Sequence, residues 1–339
     1  GNYWGDYSGW DSTGDALGDN LVPHKGGAIT TVDPFGDLNP LVALNGSCPL
    51  LWSVSTNLNQ NFTSAANSGE CFALVGNDMV LDCQGNRLTG IGNGADDERG
   101  IEIVNRNNIT VQNCDITGFK YGIYVQNANN ITLYNNTIWD NNLSGIYVDQ
   151  ADGLNISTNV VYGSNNMTQQ DYGVWLRSAR PGVNPGNTII SNTIYNNTNY
   201  GVYLSASSDY NTITSNTIYS NAVGGIVAND SDALGIINNV VYNNTRGIWL
   251  INSISNSDFG TRASSTQNTV YNHVYGFYFE NSKASASLGA VAYNNQYGIY
   301  YDNSEPNIFN VSLYSNSVAG LVINNTNPIT NVQLGELEI

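Results

Sequence analysis

Side chains able to do chemistry are few in this chain, and their spacing is regular. Asp149 and Arg177, and likewise Glu280 and Asp302, each stand four residues after a glycine in successive copies of a Gly-led segment. A carboxylate beside a guanidinium, or two neighbouring carboxylates, could serve acid–base chemistry on a glycosidic bond. Both pairs fall where solvated strand ends are expected, and neither has a His or Lys neighbour, so they are weak catalytic candidates. The run Asp11-STGDALGD places Asp11, Thr13, Asp15 and Asp19 at positions 1, 3, 5 and 9 of a calcium-loop spacing. The match is partial, because Ala16 and Val22 stand where such a loop carries Gly and Glu, and a plain Asp-Gly turn cluster is the competing reading. No other cofactor is expected. His24, His273, Met79 and Met167 are too few and too scattered for copper, and zinc spacing is absent.

The four cysteines, Cys48, Cys71, Cys83 and Cys114, all lie in the first third of the chain. Cys83 in Val80-LDC and Cys114 in Val111-QNC share a phase in neighbouring repeats, which predicts a disulfide and leaves Cys48 and Cys71 to close the N-terminal segment. Buried thiols are the alternative for Cys83 and Cys114. Disulfides would place the protein outside the cell. Asn-x-Ser/Thr sequons at Asn61, Asn108, Asn130, Asn142, Asn155, Asn166, Asn196, Asn243, Asn310 and Asn324, with others at Asn45, Asn135 and Asn229, fit that location and offer glycosylation sites.

The elements that must position these residues follow from composition and periodicity. The 339 residues carry a net charge of −17 with only 11% charged side chains, against 55 Asn, 35 Gly and 22 Tyr. An acidic chain lacks the basic footprint for nucleic acid, and no apolar run approaches the roughly 18 residues of a membrane span. A Gly followed by alternating apolar residues recurs about every 22 residues, as in Gly122-IYV, Gly145-IYV, Gly201-VYL and Gly298-IYY. Between these lie two further short segments, such as Asn130-ITL and Asn136-TIW. Three short strands per repeat, with no 3.6-residue periodicity, describe one turn of a parallel β-helix of about 10–12 rungs. Asn returning at fixed phase is expected to turn left-handed corners and to bond the Asn above and below; filling solvated loops is the bland alternative.

The stretch Cys71-FALVGNDMVLDCQGNRLTG with Asn108-ITVQNCDITGFKYGIYV resembles the opening rungs of the NosD-like, carbohydrate-binding and sugar-hydrolase (CASH) class of right-handed parallel β-helices, secreted by archaea and bacteria. The resemblance covers nearly the whole chain. Asn2-YWGDYSGWDSTGDALGD with Asp37-LNPL is similar to a segment that such proteins carry at the C-terminal end of the helix. Its N-terminal position here implies three parts: a cap or assembly segment over 1–47, disulfide-bearing first rungs over 48–99, and repeats over 100–339. Segment 1–47 could cover the last rung of a neighbouring subunit, a contact that propagates head to tail, or fold back on its own first rung. Polysaccharide lyases, hydrolases and epimerases use this fold, which keeps catalysis open.

Two columns of aromatic residues complete the pattern. Tyr124, Tyr147, Trp175, Tyr203, Trp249, Tyr278 and Tyr300 stand two after the repeat Gly. Trp139, Tyr162, Tyr195, Tyr219, Tyr242, Tyr275, Tyr293 and Tyr314 stand on the next strand, outward if Ile138 and Ile194 point in. Exposed ladders of this size would suit lateral protein contacts, or stacking on sugars, or simply reflect β-propensity. The sequence thus reads as an extracellular structural β-helix that polymerises into a filament, sheath or surface layer. The other reading is a polysaccharide-binding or polysaccharide-processing β-helix.

Overall fold

The computed structural model describes residues 46, 48, 50–64, 70–91, 98–164, 170–179, 186–232, 234–253, 267–282, 290–308 and 311–325, and the strand pairs 333–334 and 337–338. These residues form three parallel sheets wound as a right-handed β-helix, with every paired strand parallel to its neighbour. One rung contributes one strand to each sheet. In a central rung, Tyr121–Gln126 lies in sheet 1, Asn129–Tyr134 in sheet 2 and Thr137–Trp139 in sheet 3. The next rung supplies Ser144–Asp149, Asn155–Ser157 and Val160–Tyr162 in register. Sheets 1 and 3 each hold twelve strands and sheet 2 holds eight, with a separate parallel pair of Asn307–Ile308 and Gln333–Leu334. No helix in the described residues is long and apolar enough to cross a membrane.

The core is a set of columns, because period-2 alternation sends every second side chain inward. Ile116, Ile138, Val161, Ile194, Ile218, Val241 and Val270 stack on the inner side of sheet 3, all fully buried. Each such aliphatic burial is worth roughly 1.5–3 kcal/mol. The repeat glycine is fixed by the tightness of the wall between sheets 1 and 3. A Cβ on Gly122 would sit 2.6 Å from the Gly145 carbonyl oxygen and 2.6 Å from Cγ2 of Ile138.

Asn serves two separate purposes at the corners, often in adjacent residues. The first of a pair takes the left-handed conformation, as at Asn135, Asn238, Asn243 and Asn294, with φ between 53° and 57°. The second is buried and bonds along the helix axis. Asn136, Asn159, Asn192, Asn216, Asn239 and Asn268 form one such ladder, each oxygen from Asn159 onward accepting the backbone N–H and the amide of the Asn one rung below. Their amides also donate to carbonyls of the core strands, such as Asn216 to Ile189 at 2.8 Å. A second buried ladder between sheets 3 and 1 runs through Asn141, Gln170, Asn197, Asn221, Asn244, His273, Asn295 and Asn316. In the buried ladders turning and stacking thus fall to neighbouring residues, whereas Asn130 on Asn108, Asn135 on Asn113 and Asn303 on Asn281 turn the corner and stack at once, as expected.

Both disulfides form, Cys48–Cys71 and Cys83–Cys114. Cys83 and Cys114 occupy the first two positions of the Asn136 ladder, since the backbone N–H of Cys114 donates to Asn136. A covalent link thus begins the column that amides continue.

Candidate functional site

The outer side of sheet 1 carries three parallel columns. The residue before each repeat glycine gives Tyr121, Tyr172, Tyr200, Arg246, Tyr275 and Tyr297; the residue two after gives Tyr124, Tyr147, Trp175, Tyr203, Trp249, Tyr278 and Tyr300. The rung holding Gly224 and Val227 divides them into two clusters. Within each cluster the rings meet at mixed angles: Tyr147 and Trp175 are edge-on at 4.9 Å, and Tyr172 and Trp175 tilted at 4.7 Å. The clusters include cations. Arg99 lies 4.1 Å over Tyr124, and Arg246 lies 4.2 Å over Trp249.

This packing corrects the expectation that the whole column is exposed. Tyr124 and Tyr147 face outward but are only 9% and 7% exposed, because Tyr121, Arg99 and the adjoining rings cover them. The tyrosines before the glycine also escaped the sequence reading, although the repeated Tyr-Gly dipeptide was their signal.

The third column contains the weak catalytic candidates. Asp149 and Arg177 are paired neighbours, with the guanidinium 3.3 Å from Oδ2 of Asp149. Gln126 donates to the same oxygen at 3.2 Å. Asp149 was expected at a solvated strand end; instead it is 5% exposed, and its Oδ1 is buried without a hydrogen-bond partner. Burial and the Asp149 charge push the neighbouring Tyr147 phenol up to about 12, so it stays protonated. Glu280 and Asp302 also lie side by side. Asp302 accepts from Tyr278 and from Asn324, each at 3.1 Å, and burial together with this carboxylate raises the Tyr278 phenol. Both pairs are thus tied into the aromatic clusters: Tyr278 donates to Asp302, while Tyr147 accepts from Arg177 and stays protonated.

Sheet 3 presents a different surface. Trp139, Tyr162, Tyr195, Tyr219, Tyr242, Tyr271, Tyr293 and Tyr314 form one continuous column. From Tyr162 onward the ring centroids are 4.7–5.0 Å apart and the planes within 10° of parallel. Ring faces are consumed by neighbouring rings, so only edges and hydroxyls point outward. Tyr275 does not belong here; it sits on sheet 1 against Tyr278 and Tyr297, and Tyr271 holds its expected place.

Sequons at Asn61, Asn108, Asn130, Asn155, Asn243 and Asn324 are exposed, and those at Asn142 and Asn196 half-buried. The amides of Asn108 and Asn130 are already engaged, with Asp78 and Asn108 respectively. Asn166 and Asn310 lie outside the described residues, as do Asp11, Thr13, Asp15 and Asp19. Among the described residues no group of three or more His, Cys, Asp or Glu could hold a metal ion.

A model of the right-handed beta helix region matches residues 54–184 and 100–263. The chain belongs to the right-handed beta helix family. No curated protein sequence matches it. Among solved structures, it is similar to the periplasmic alginate epimerase AlgG, at 17% identity over 85% of this chain and 77% of that one, with a TM-score of 0.53. The Azotobacter vinelandii mannuronan C-5 epimerase AlgE6 A-module gives 15% identity over 87% and 78%, TM-score 0.53. The Dettilon tailspike protein gives 14% over 85% and 61%, TM-score 0.54. At these identities the likeness is one of fold.

Proposed function

We propose that this right-handed beta helix protein is secreted and binds polysaccharide along the outer side of sheet 1, with NosD-like proteins its expected relatives. The observation carrying this reading is the geometry of the two aromatic clusters. Their rings meet at mixed angles, and Tyr172, Trp175, Tyr203, Tyr278 and Tyr300 stay partly exposed, with polar partners such as Arg177 and Asp302 alongside. Sugars present apolar C–H faces and a hydroxyl rim, which aromatic faces beside charged hydrogen-bonding groups complement. Two disulfides and epimerases and a tailspike sharing the fold support location outside the cytoplasm and the class of ligand.

Binding without bond cleavage is the form favoured here. Asp149 is held by Arg177 and Gln126 through Oδ2 while its unpartnered Oδ1 is buried out of reach, Asp302 is held by Tyr278 and Asn324, and the adjoining phenols are held protonated. A general base needs a free acceptor near the substrate proton. The test is affinity electrophoresis in gels containing mannan, laminarin or alginate. Retardation by at least one polymer, weakened about tenfold or more in Trp175→Ala, is expected; unchanged migration in every gel refutes the reading.

The stacked column of sheet 3 favours a second reading, lateral association of copies within a filament or surface layer. Its outward neighbours Thr137, Val160, Thr193, Thr217 and Val240 are also uncharged, so two such faces could meet without like-charge repulsion in a chain of net charge −17. Tyr219→Lys should then dissociate any assembly seen in electron micrographs. Head-to-tail contact through 1–47, calcium at Asp11–Asp19 and glycosylation remain parts of that proposal.

A further inference from the structure

A groove of about 830 Å³ follows the corner between sheets 3 and 1 in the C-terminal half of the helix, lined by residues from Ser220 to Ser317. It crosses five successive rungs, roughly 20 Å at the 4.8 Å strand spacing. Its lining contains no Lys, Arg, Asp or Glu. His273 lies among the lining residues but is 5% exposed, and burial holds its pKa down at about 4, so it brings no charge at neutral pH.

Three of the side-chain amides that line the groove are free. Asn243, Asn272 and Asn294 occupy equivalent corner positions on three consecutive rungs, at φ 57°, 61° and 55°, and all three are exposed. Among the described residues, their side-chain amides have no hydrogen-bond partner. That contrasts with corner asparagines elsewhere on the helix: Asn135 donates to Asn113 at 2.7 Å, and Asn303 to Asn281 at 2.7 Å. Thr245, Val274 and Gln296 form the facing wall, and the chain continues directly into Arg246, Tyr275 and Tyr297 of sheet 1. On the other rim, each corner residue directly follows a member of the stacked tyrosine column: Tyr242, Tyr271 and Tyr293.

From these observations we infer that this corner is a second saccharide site, specific for an extended neutral polysaccharide, whose hydroxyls are met by the Asn243, Asn272 and Asn294 amides. An amide both donates and accepts, as a sugar hydroxyl does, and a row repeated once per rung suits a polymer whose own repeat is regular. With no cation in the groove and a net charge of −17 on the chain, an acidic polymer finds no counter-charge there. The inference shares with the preceding reading only the class of ligand; the site and its selectivity are separate.

The test compares the full chain with Asn272→Asp/Asn294→Asp and with Trp175→Ala, in gels containing mannan, laminarin or alginate. Asp tolerates the left-handed conformation nearly as well as Asn, so the double variant should fold; an unchanged melting curve checks this. The expected result is retardation by a neutral polymer that weakens about tenfold or more in the double variant, with alginate bound less well than mannan or laminarin. If the double variant keeps full affinity while Trp175→Ala loses it, the groove inference is overturned and the sheet 1 reading stands. If the double variant loses affinity while Trp175→Ala does not, the groove stands and the sheet 1 reading falls. Preferential binding of alginate, or no retardation by either neutral polymer, also overturns the groove.

Discussion

Nδ1 of His273 lies 3.0 Å from the backbone nitrogen of Asn244, one rung below, and its Nε2 lies 3.1 Å from the carbonyl oxygen of Val241. These are the two bonds a ladder asparagine makes: Asn295 accepts from His273 N–H and donates to the Val270 carbonyl. The neutral imidazole with its proton on Nε2 therefore imitates an amide. Protonating Nδ1 would give up the bond from the Asn244 N–H and leave that nitrogen only the Asn244 carbonyl, 2.8 Å away, as a partner.

The pH dependence follows. Burial lowers the His273 pKa from 6.5 to about 4. A group whose folded pKa is depressed contributes stability that is fully present above the unfolded value and is lost as pH falls through the folded one. About 3 kcal/mol should accordingly disappear between pH 6.5 and pH 4. His273→Asn should fold and lack this contribution. The difference between urea denaturation curves of the two proteins at pH 7 and pH 4 measures it.

Asn216 is predicted to be far less replaceable than Asn294, despite the similar setting. Its oxygen accepts the Asn192 backbone N–H at 2.9 Å, and its amide donates to Ile189 and Asn239. Asn216→Ala leaves a buried donor and a buried acceptor unpaired, at about 2–5 kcal/mol together. Asn294→Asp, on an exposed left-handed corner, should change stability by less than about 0.5 kcal/mol. Thermal melts of the two variants check the contrast.

Much of this architecture was legible because its cause is local and repeats. Gly122, Ile123 and Val125 announce one strand, and the same triplet pattern every 22 residues or so announces the stack. Pairing of Cys83 with Cys114 was legible for the same reason, since equal phase places both at one corner. What failed to show was set by corners or by distant neighbours. Tyr275 was placed on the wrong sheet although it directly precedes the repeat Gly276; Tyr271, which precedes the left-handed Asn272 as Tyr242 precedes Asn243, is the member of that column. Asp149 was read as solvated because the groups that cover it, Gln126 and Arg177, come from the rungs on either side. The free-amide groove was not visible either, since Asn243 and Asn135 look alike until their partners are known.

The Cys83–Cys114 disulfide should matter beyond the 31-residue separation it spans. Constraint of the unfolded chain alone is worth about 3–4 kcal/mol for a loop of this length. Because Cys114 also donates its N–H to Asn136, loss of the bond should loosen the first positions of the ladder. Cys83→Ser/Cys114→Ser is expected to lower the melting temperature and to speed amide exchange at Met79–Asp82 and Asn107–Gln112 more than at Thr217–Tyr219. Uniform acceleration across all three strands would show that the effect is confined to the unfolded chain.

Gly145 offers the sharpest test of the packed wall. A Cβ there would lie 2.4 Å from Cγ1 of Val161 and 2.9 Å from the carbonyl oxygen of Gly173. The obstacle is partly backbone on the next rung, so it cannot swing aside as a flexible side chain would. Gly145→Ala should therefore cost about 3 kcal/mol or more, at or beyond the upper end of ordinary overpacking. Gly85→Ala provides the comparison, since nothing lies within 4 Å of its Cβ position and only its φ of 81° opposes the change. That strain is about 1–2 kcal/mol. Val161→Ala, added to Gly145→Ala, should recover part of the loss by removing Cγ1. Failure of the double variant to recover would assign the clash to the Gly173 carbonyl alone.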